Sequence, residues 1–215
     1  MLLKRLFDIF FSLSFILILS LPLLLIYFFV KFNSSNGPVI YKGERTFSEN
    51  KTFKLLKFRT MVVDAEKKGG FSTALNDERL TSVGRLLRKY KLDELPQLFN
   101  ILGGDMSFVG PRPQVPFYTK KYNSIDKQAL KIKPGMTDLA SLYFFDMDSI
   151  LGTDNVDEKY EKEIEPIKNI LRVFYLRNIS LKLDIIILIS TFLIIFPFFK
   201  KIIKEKLDKI ILKIQ

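Results

Sequence analysis

Two adjacent carboxylates, Asp93 and Glu94, follow a cluster of cations in Arg85-Leu86-Leu87-Arg88-Lys89-Tyr90-Lys91-Leu92-Asp93-Glu94-Leu95-Pro96-Gln97. Asp93 fits a helix N-cap, Pro96 is tolerated within a first turn, and Gly103-Gly104 ends the helix. Unsatisfied backbone N–H groups and the dipole at such a helix start favour an ionised Asp93 and a phosphate held beside it. Arg88 and its neighbours supply partners for that phosphate, an arginine being able to grip two oxygens at once. A carboxylate next to bound phosphate has two uses: it ligates Mg²⁺ together with phosphate oxygens, or it attacks phosphorus to give an acyl phosphate. Neighbouring residues of a helix point in different directions, so Asp93 and Glu94 are expected to divide these tasks. A plain N-cap followed by a first-turn glutamate satisfies the same pattern without chemistry.

Gly110-Pro111-Arg112-Pro113 is a second candidate, because two prolines fix the backbone around one guanidinium and so limit the freedom lost on binding an anion. Read alone it is also an ordinary rigid turn. In Lys57-Phe58-Arg59-Thr60-Met61, alternating cations on a short strand read as solvated. The chain contains no histidine and no cysteine among its 215 residues. That removes imidazole and thiolate metal sites, Ser-His-Asp triads, cysteine nucleophiles and disulfides, leaving carboxylates, Lys, Arg, Tyr or an oxygen-ligated metal. The net charge of +11 suits phosphate-rich partners. No nucleic acid is expected among them, since the charge accompanies apolar segments and lacks an aromatic stacking motif.

The elements that must position these residues read as an α+β domain, mostly helical. Val39-Ile40-Tyr41-Lys42 and Thr52 to Arg59 alternate like short strands, with Lys42-Gly43-Glu44-Arg45 and Ser48-Glu49-Asn50-Lys51 as turn material. Thr81 to Tyr90, Asp93 to Leu102 and Tyr160 to Asn178 read as helices.

Apolar segments flank this domain. Ile9 to Val30 carries no charge and as a helix would run roughly 33 Å, about the thickness of a bilayer core. It exceeds a signal-peptide apolar region and no A-x-A site follows it. Ser20-Leu21-Pro22 stands in its middle, where proline predicts a break. Lys4 and Arg5 before the run and Lys31 after it give no charge asymmetry, so a helix hairpin returning to its own side satisfies both features, with a single kinked span as the alternative. The Ile185 to Phe199 run is below spanning length and reads as a buried or interfacial helix. From Lys200 to Gln215, six lysines oppose Ile202, Ile203, Leu207, Ile210, Ile211 and Ile214 at helical spacing. That helix lies either on anionic phospholipid or on its own domain. The expected division is residues 1–32 as membrane anchor, 33–184 as the catalytic domain and 185–215 as an apolar segment with a basic amphipathic helix.

Taken in order, Lys4-Arg5-Leu6-Phe7-Asp8 with its apolar run, Lys57-Phe58-Arg59-Thr60-Met61, Leu92-Asp93-Glu94-Leu95-Pro96-Gln97 and Gly104-Asp105-Met106-Ser107-Phe108-Val109-Gly110-Pro111-Arg112-Pro113 resemble the bacterial sugar transferases, in particular the small monotopic phosphoglycosyltransferases. The resemblance implies an enzyme at the cytoplasmic face of the bacterial inner membrane that starts surface-glycan assembly. Its substrates would be a UDP-sugar and undecaprenyl phosphate, its cofactor Mg²⁺. Asp93 would attack the β-phosphate, releasing UMP; Glu94 would complete the catalytic pair with the metal; Lys57, Arg59, Arg88 and Arg112 would hold phosphate or nucleotide. The anchor, with Arg5, Ser20 and Pro22, would be re-entrant, and a homodimer stays open. After Lys133-Pro134-Gly135-Met136-Thr137 the family continues Gly-Leu-Ala and supplies an arginine several residues on. This chain has Asp138-Leu139-Ala140 and then Leu142 to Asp146, with Phe145. The missing cation implies altered sugar or phosphate binding, or a weakened, membrane-tethered nucleotide-sugar-binding protein.

Overall fold

The structure is a computed structural model and describes residues 2–33, 37–49, 51–65, 77–147, 150 and 156–214. Helices α1 (Leu2–Ile18) and α2 (Ser20–Asn33) meet at Leu19 with a bend of 64°. Pro22, the third residue of α2, has no N–H to offer the carbonyl of Ile18, so the ladder is weakened where the bend occurs. Among the described residues no single helix is long and apolar enough to cross a membrane; the bent pair has that length and composition only when both helices are taken together.

The polarity of α1 is inverted relative to a soluble surface helix. Leu2, Phe10, Leu13, Leu17 and Ile18 are exposed, whereas Asp8 and Ser12 are buried. Its polar side chains reach into the body of the protein. Lys4 Nζ donates to Val109 O at 2.8 Å and to Asp184 Oδ2 at 2.5 Å; Asp8 Oδ1 accepts from Ser107 Oγ and Phe108 N, both at 3.0 Å. Arg5 donates to the carbonyls of Ile101 and Leu102 at 2.6 and 2.8 Å, filling acceptors left open at a helix C-terminus.

Strands β1 (Ile40–Ser48) and β2 (Lys51–Phe58) form an antiparallel hairpin whose register runs from Ile40 opposite Phe58 to Thr46 opposite Thr52. Lys42 to Arg45, expected as a turn, lies inside β1: Gly43 pairs with Leu55, and the ladder bonds hold extended a segment whose composition alone suggested a reversal. The turn lies at Ser48 to Lys51, with Asn50 outside the described residues.

Helix α3 (Ser82–Lys89) matches its expected bounds, with the Thr81 hydroxyl accepting from Gly84 N at 2.9 Å. Helix α4 (Gln97–Gly103) ends at Gly104, whose φ of 95° suits glycine. Strands β3 (Ser107–Val109) and β4 (Gly135–Thr137) pair in parallel. The short helices α5 (Pro116–Thr119), α6 (Leu139–Tyr143) and α7 (Val156–Lys159) follow, and α7 continues through a π turn at Tyr160–Ile164 into α8 (Glu165–Arg177), giving the helix expected over Tyr160 to Asn178.

Helix α9 (Leu181–Leu193) is capped by Ser180, and Pro197 opens a new helix, α10 (Pro197–Leu212), instead of interrupting an old one. The apolar face of α10 packs on its own domain. Leu207 and Ile211 are buried in the main core beside Leu98, Ile101, Met106, Leu171, Tyr175 and Ile187. A second cluster, Val30, Val39, Phe58, Val83 and Leu87, ties the end of α2 to β2 and α3.

Candidate active site

The carboxylate pair is carried by a short irregular link between α3 and α4. Lys91, at φ 56° and ψ 20°, takes a left-handed turn rare for a side chain with a Cβ. A single 3₁₀ turn, Leu92–Glu94, follows. Leu92 and Leu95 pack against the cluster around Val30 and Phe58, which pins the turn on both sides of Asp93 and Glu94. Asp93 is therefore not the helix N-cap expected from its spacing. The α-helix begins only at Gln97, Pro96 stands at the cap position, and no side chain caps that end. Asp93 is instead buried inside the turn, 4% exposed.

Glu94 lies between two cations. Its Oε1 accepts from Lys57 Nζ at 2.8 Å and from Arg112 Nη2 in a closer contact, and only 13% of its side chain is exposed. Burial alone would raise the Glu94 carboxyl, but the charges of Arg112 and Lys57 outweigh it and hold the group well below the ordinary carboxylate range. Asp93 shifts upward: desolvation dominates and the negative Glu94 adds to it, against the opposing charges of Lys57, Arg88 and Arg112. Lys57 is pushed down, chiefly by burial. Glu94 is thus held as an anion between two cations, while Asp93 is a desolvated carboxyl beside it.

Lys57, Arg88 and Arg112 act electrostatically on the carboxylate pair. Arg59, the fourth cation expected at the site, is buried against the chain at Gly37. It is 6% exposed, and a Cβ added at Gly37 would meet its Nη1 at 1.9 Å, so its guanidinium lies on the Gly37 backbone. The reading of this strand end as solvated is corrected: Arg59 is buried and Lys57 faces Glu94.

Arg112 is held by groups distant from it in sequence. Its backbone N–H donates to Asp138 Oδ2 at 3.0 Å, and its Nη1 donates to Met136 O at 3.1 Å. Asp138, 2% exposed, accepts from Ser141 N at 2.6 Å through its other oxygen and so caps α6. Two residues beyond Arg112, Gln114 Nε2 donates to Tyr160 OH at 2.5 Å and to Glu165 Oε2 at 3.0 Å. Glu165 is bridged by Arg172 at 2.8 Å. A shallow cleft opens along this segment, lined among others by Thr46, Arg112, Gln114, Tyr122 and Arg172. The signal for Asp138 was present as a departure from the expected motif; nothing local marked Glu165 or Arg172, which meet Gln114 only through the fold.

A carboxylate pair flanked by three basic side chains suits phosphoryl chemistry, and Mg²⁺ fits it in one respect. That ion accepts one or two protein carboxylates and completes its shell with phosphate oxygens and water. Among the described residues no group of three acidic side chains forms a self-sufficient metal cage.

Comparison with known proteins places this chain in a family. Residues 1–197 match the family model described as "Bacterial sugar transferase". The chain belongs to the bacterial sugar transferase family. It is similar to a Klebsiella pneumoniae protein named UDP-glucose:undecaprenyl-phosphate glucose-1-phosphate transferase, 39% identical over 194 residues that cover 89% of this chain and 39% of that one. A Salmonella typhimurium undecaprenyl-phosphate galactose phosphotransferase is 38% identical over 205 residues, covering 88% of this chain and again 39% of the relative. The chain therefore spans about two fifths of the length of these two relatives. A Rhizobium leguminosarum exopolysaccharide production protein is matched along 92% of its length at 35% identity. For this sugar transferase, the family match runs through the bent helix pair α1 and α2, the Asp93-Glu94 turn and the Arg112 segment.

Proposed function

We propose that this chain transfers a sugar 1-phosphate from a UDP-sugar to undecaprenyl phosphate through a covalent phosphosugar on Asp93. A carboxylate oxygen of Asp93 attacks the β-phosphorus of the donor. The bond from that phosphorus to the bridging oxygen breaks, and UMP leaves with the electron pair. A phosphate oxygen of undecaprenyl phosphate then attacks the same phosphorus, breaking the acyl phosphate and restoring the carboxylate. The observation that carries this reading is the pairing of a desolvated Asp93 with a Glu94 anion already bound to Lys57 and Arg112. Desolvation strips water from the attacking carboxylate, while Lys57, Arg88 and Arg112 supply positive charge for the donor phosphates. Asp93 and Glu94 would hold Mg²⁺ when it binds, adding charge neutralisation at the phosphates.

The relatives' names, which specify undecaprenyl phosphate and UDP-glucose or galactose transfer, support the substrate classes. The exposed apolar surfaces of α1 and α2, with Ile186, Ile189, Phe192, Ile195 and Phe198 nearby in sequence to the lysines of α10, support attachment to membrane phospholipid. We read this bent pair as a re-entrant hairpin, which would set the domain at the cytoplasmic face of the inner membrane, where UDP-sugars are made.

The test is UMP release from a panel of UDP-sugars by membrane preparations with Mg²⁺ and undecaprenyl phosphate. Asp93→Asn is expected to lose at least about 10³-fold in rate; release at the wild-type rate would overturn the nucleophile assignment. Exchange of labelled UMP into UDP-sugar separates this reading from a binding-only protein, which would bind donor without exchange.

A further inference from the structure

We propose that Gln114 and Asp138 are positioning residues that clamp Arg112 from both sides and aim its guanidinium at Glu94. The inference rests on the reading that Arg112 meets the donor phosphates. Pro111 and Pro113 lock their own φ angles and Pro113 confines Arg112 to extended backbone, so much of the freedom that remains is movement of the whole segment about its ends. On the near side, the Arg112 N–H is tied to Asp138, whose second oxygen is committed to the first turn of α6; Asp138 cannot shift without uncapping that helix. On the far side, the Gln114 carbonyl accepts from Thr46 N at 2.9 Å, and its amide donates to Tyr160 and Glu165. Glu165 is in turn immobilised by Arg172 at 2.8 Å and by the Tyr122 hydroxyl at 2.5 Å. With the backbone fixed and Nη1 on Met136 O, Nη2 is left pointing at Glu94.

The clamp gives a role to the position where the chain departs from its family pattern. A glycine at 138 would offer Arg112 no carboxylate, whereas Asp138 supplies a buried acceptor and a negative charge that raises the pKa of Arg112 together with Glu94. Signs alternate outward from the active site: Glu94, Arg112, Asp138, then Lys168 and Arg172, then Glu165.

Gln114→Met removes the amide with little change in size, and Asp138→Asn leaves one oxygen for two N–H donors. Each is expected to lower kcat/KM for UDP-sugar about 10- to 100-fold, the scale of a misplaced catalytic group. The same substitutions in an Arg112→Ala background are expected to add less than about threefold, because the clamp acts only through Arg112. An equal loss in both backgrounds, or wild-type kcat/KM in Gln114→Met, would overturn the proposal. A second readout needs no turnover: ¹⁵N side-chain NMR of arginine, assigned with Arg112→Lys, should show restricted Nη rotation for Arg112 in the wild type and its loss in Gln114→Met. Unchanged Arg112 signals would overturn the clamp even if no UDP-sugar were turned over, whereas loss of the restriction without turnover would keep the clamp and reject the proposed reaction.

Discussion

Lys168 shows how far the interior of α8 is removed from water. It is 6% exposed, its Nζ donates to Tyr160 OH at 3.1 Å and it lies over the Tyr160 ring. Burial pushes its pKa down to about 7, with the charge of Arg172 and, more weakly, Arg112 acting in the same direction against Glu165 and Asp138. The unfolded chain therefore binds more protons than the folded one between about pH 7 and the ordinary lysine range. The charged Lys168 disfavours folding fully below pH 7, and that penalty fades as the pH rises. Lys168→Met should accordingly gain on the wild type most at pH 6 and least at pH 10. The difference in Tm between the two proteins is expected to narrow by on the order of 10 °C over that range in a thermal melt. A gap independent of pH would show that Lys168 titrates near its free value.

Among the elements, the parallel pair β3 and β4 brings the Arg112 segment beside Met136 and Asp138, and two glycines make that approach possible. A Cβ on Gly135 would stand 2.0 Å from Gly110 N and 2.4 Å from Gly110 O, both backbone atoms that have no side-chain freedom to yield. Gly135→Ala should thus force the strands apart, at a cost of about 3 kcal/mol or more, measured as a lower denaturant midpoint with an unchanged m-value. A wild-type midpoint would mean that the strands separate freely. Gly84 makes a similar contact, its added Cβ meeting the Thr60 carbonyl oxygen at 1.9 Å, so α3 sits directly on the chain leaving β2. That contact delivers Arg88 to the same side as Lys57, and the left-handed Lys91 then brings Asp93 and Glu94 back toward both.

For the whole molecule, the N-terminal helix pair and the body that carries Asp93 and Arg112 form one packed unit. Lys4, Arg5 and Asp8 spend their hydrogen bonds on the domain, while the remaining surface of α1 is apolar and exposed. Such a hairpin is expected to enter and leave the membrane on one side. Single cysteines introduced at Met1 and Asn36 should both react with an impermeant thiol reagent from the cytoplasmic side, and labelling from opposite sides would restore a kinked span. Asn36 lies outside the described residues and serves only as a reporter of side.

Much of this protein was legible in the order of its residues. The carboxylate pair, the cations, the Pro-flanked arginine and the break near Pro22 are local patterns, and a helix such as α3 declares its ends through Thr81 and its charge pattern, because capping and periodicity act over a few residues. The family follows from the order of those motifs. What the sequence misjudged depended on contacts between distant segments. Asp93 read as an N-cap because spacing cannot foresee that Lys91 turns left-handed and that Leu92 and Leu95 are held by the core. Arg59 read as solvated because nothing local reveals Gly37 against it. The amphipathic tail fitted two surfaces equally until the burial of Leu207 and Ile211 chose its own domain. Composition and spacing determine which groups are available; only tertiary packing decides which charges lose their water and meet, and at Glu94, Arg112 and Asp138 that meeting makes the site.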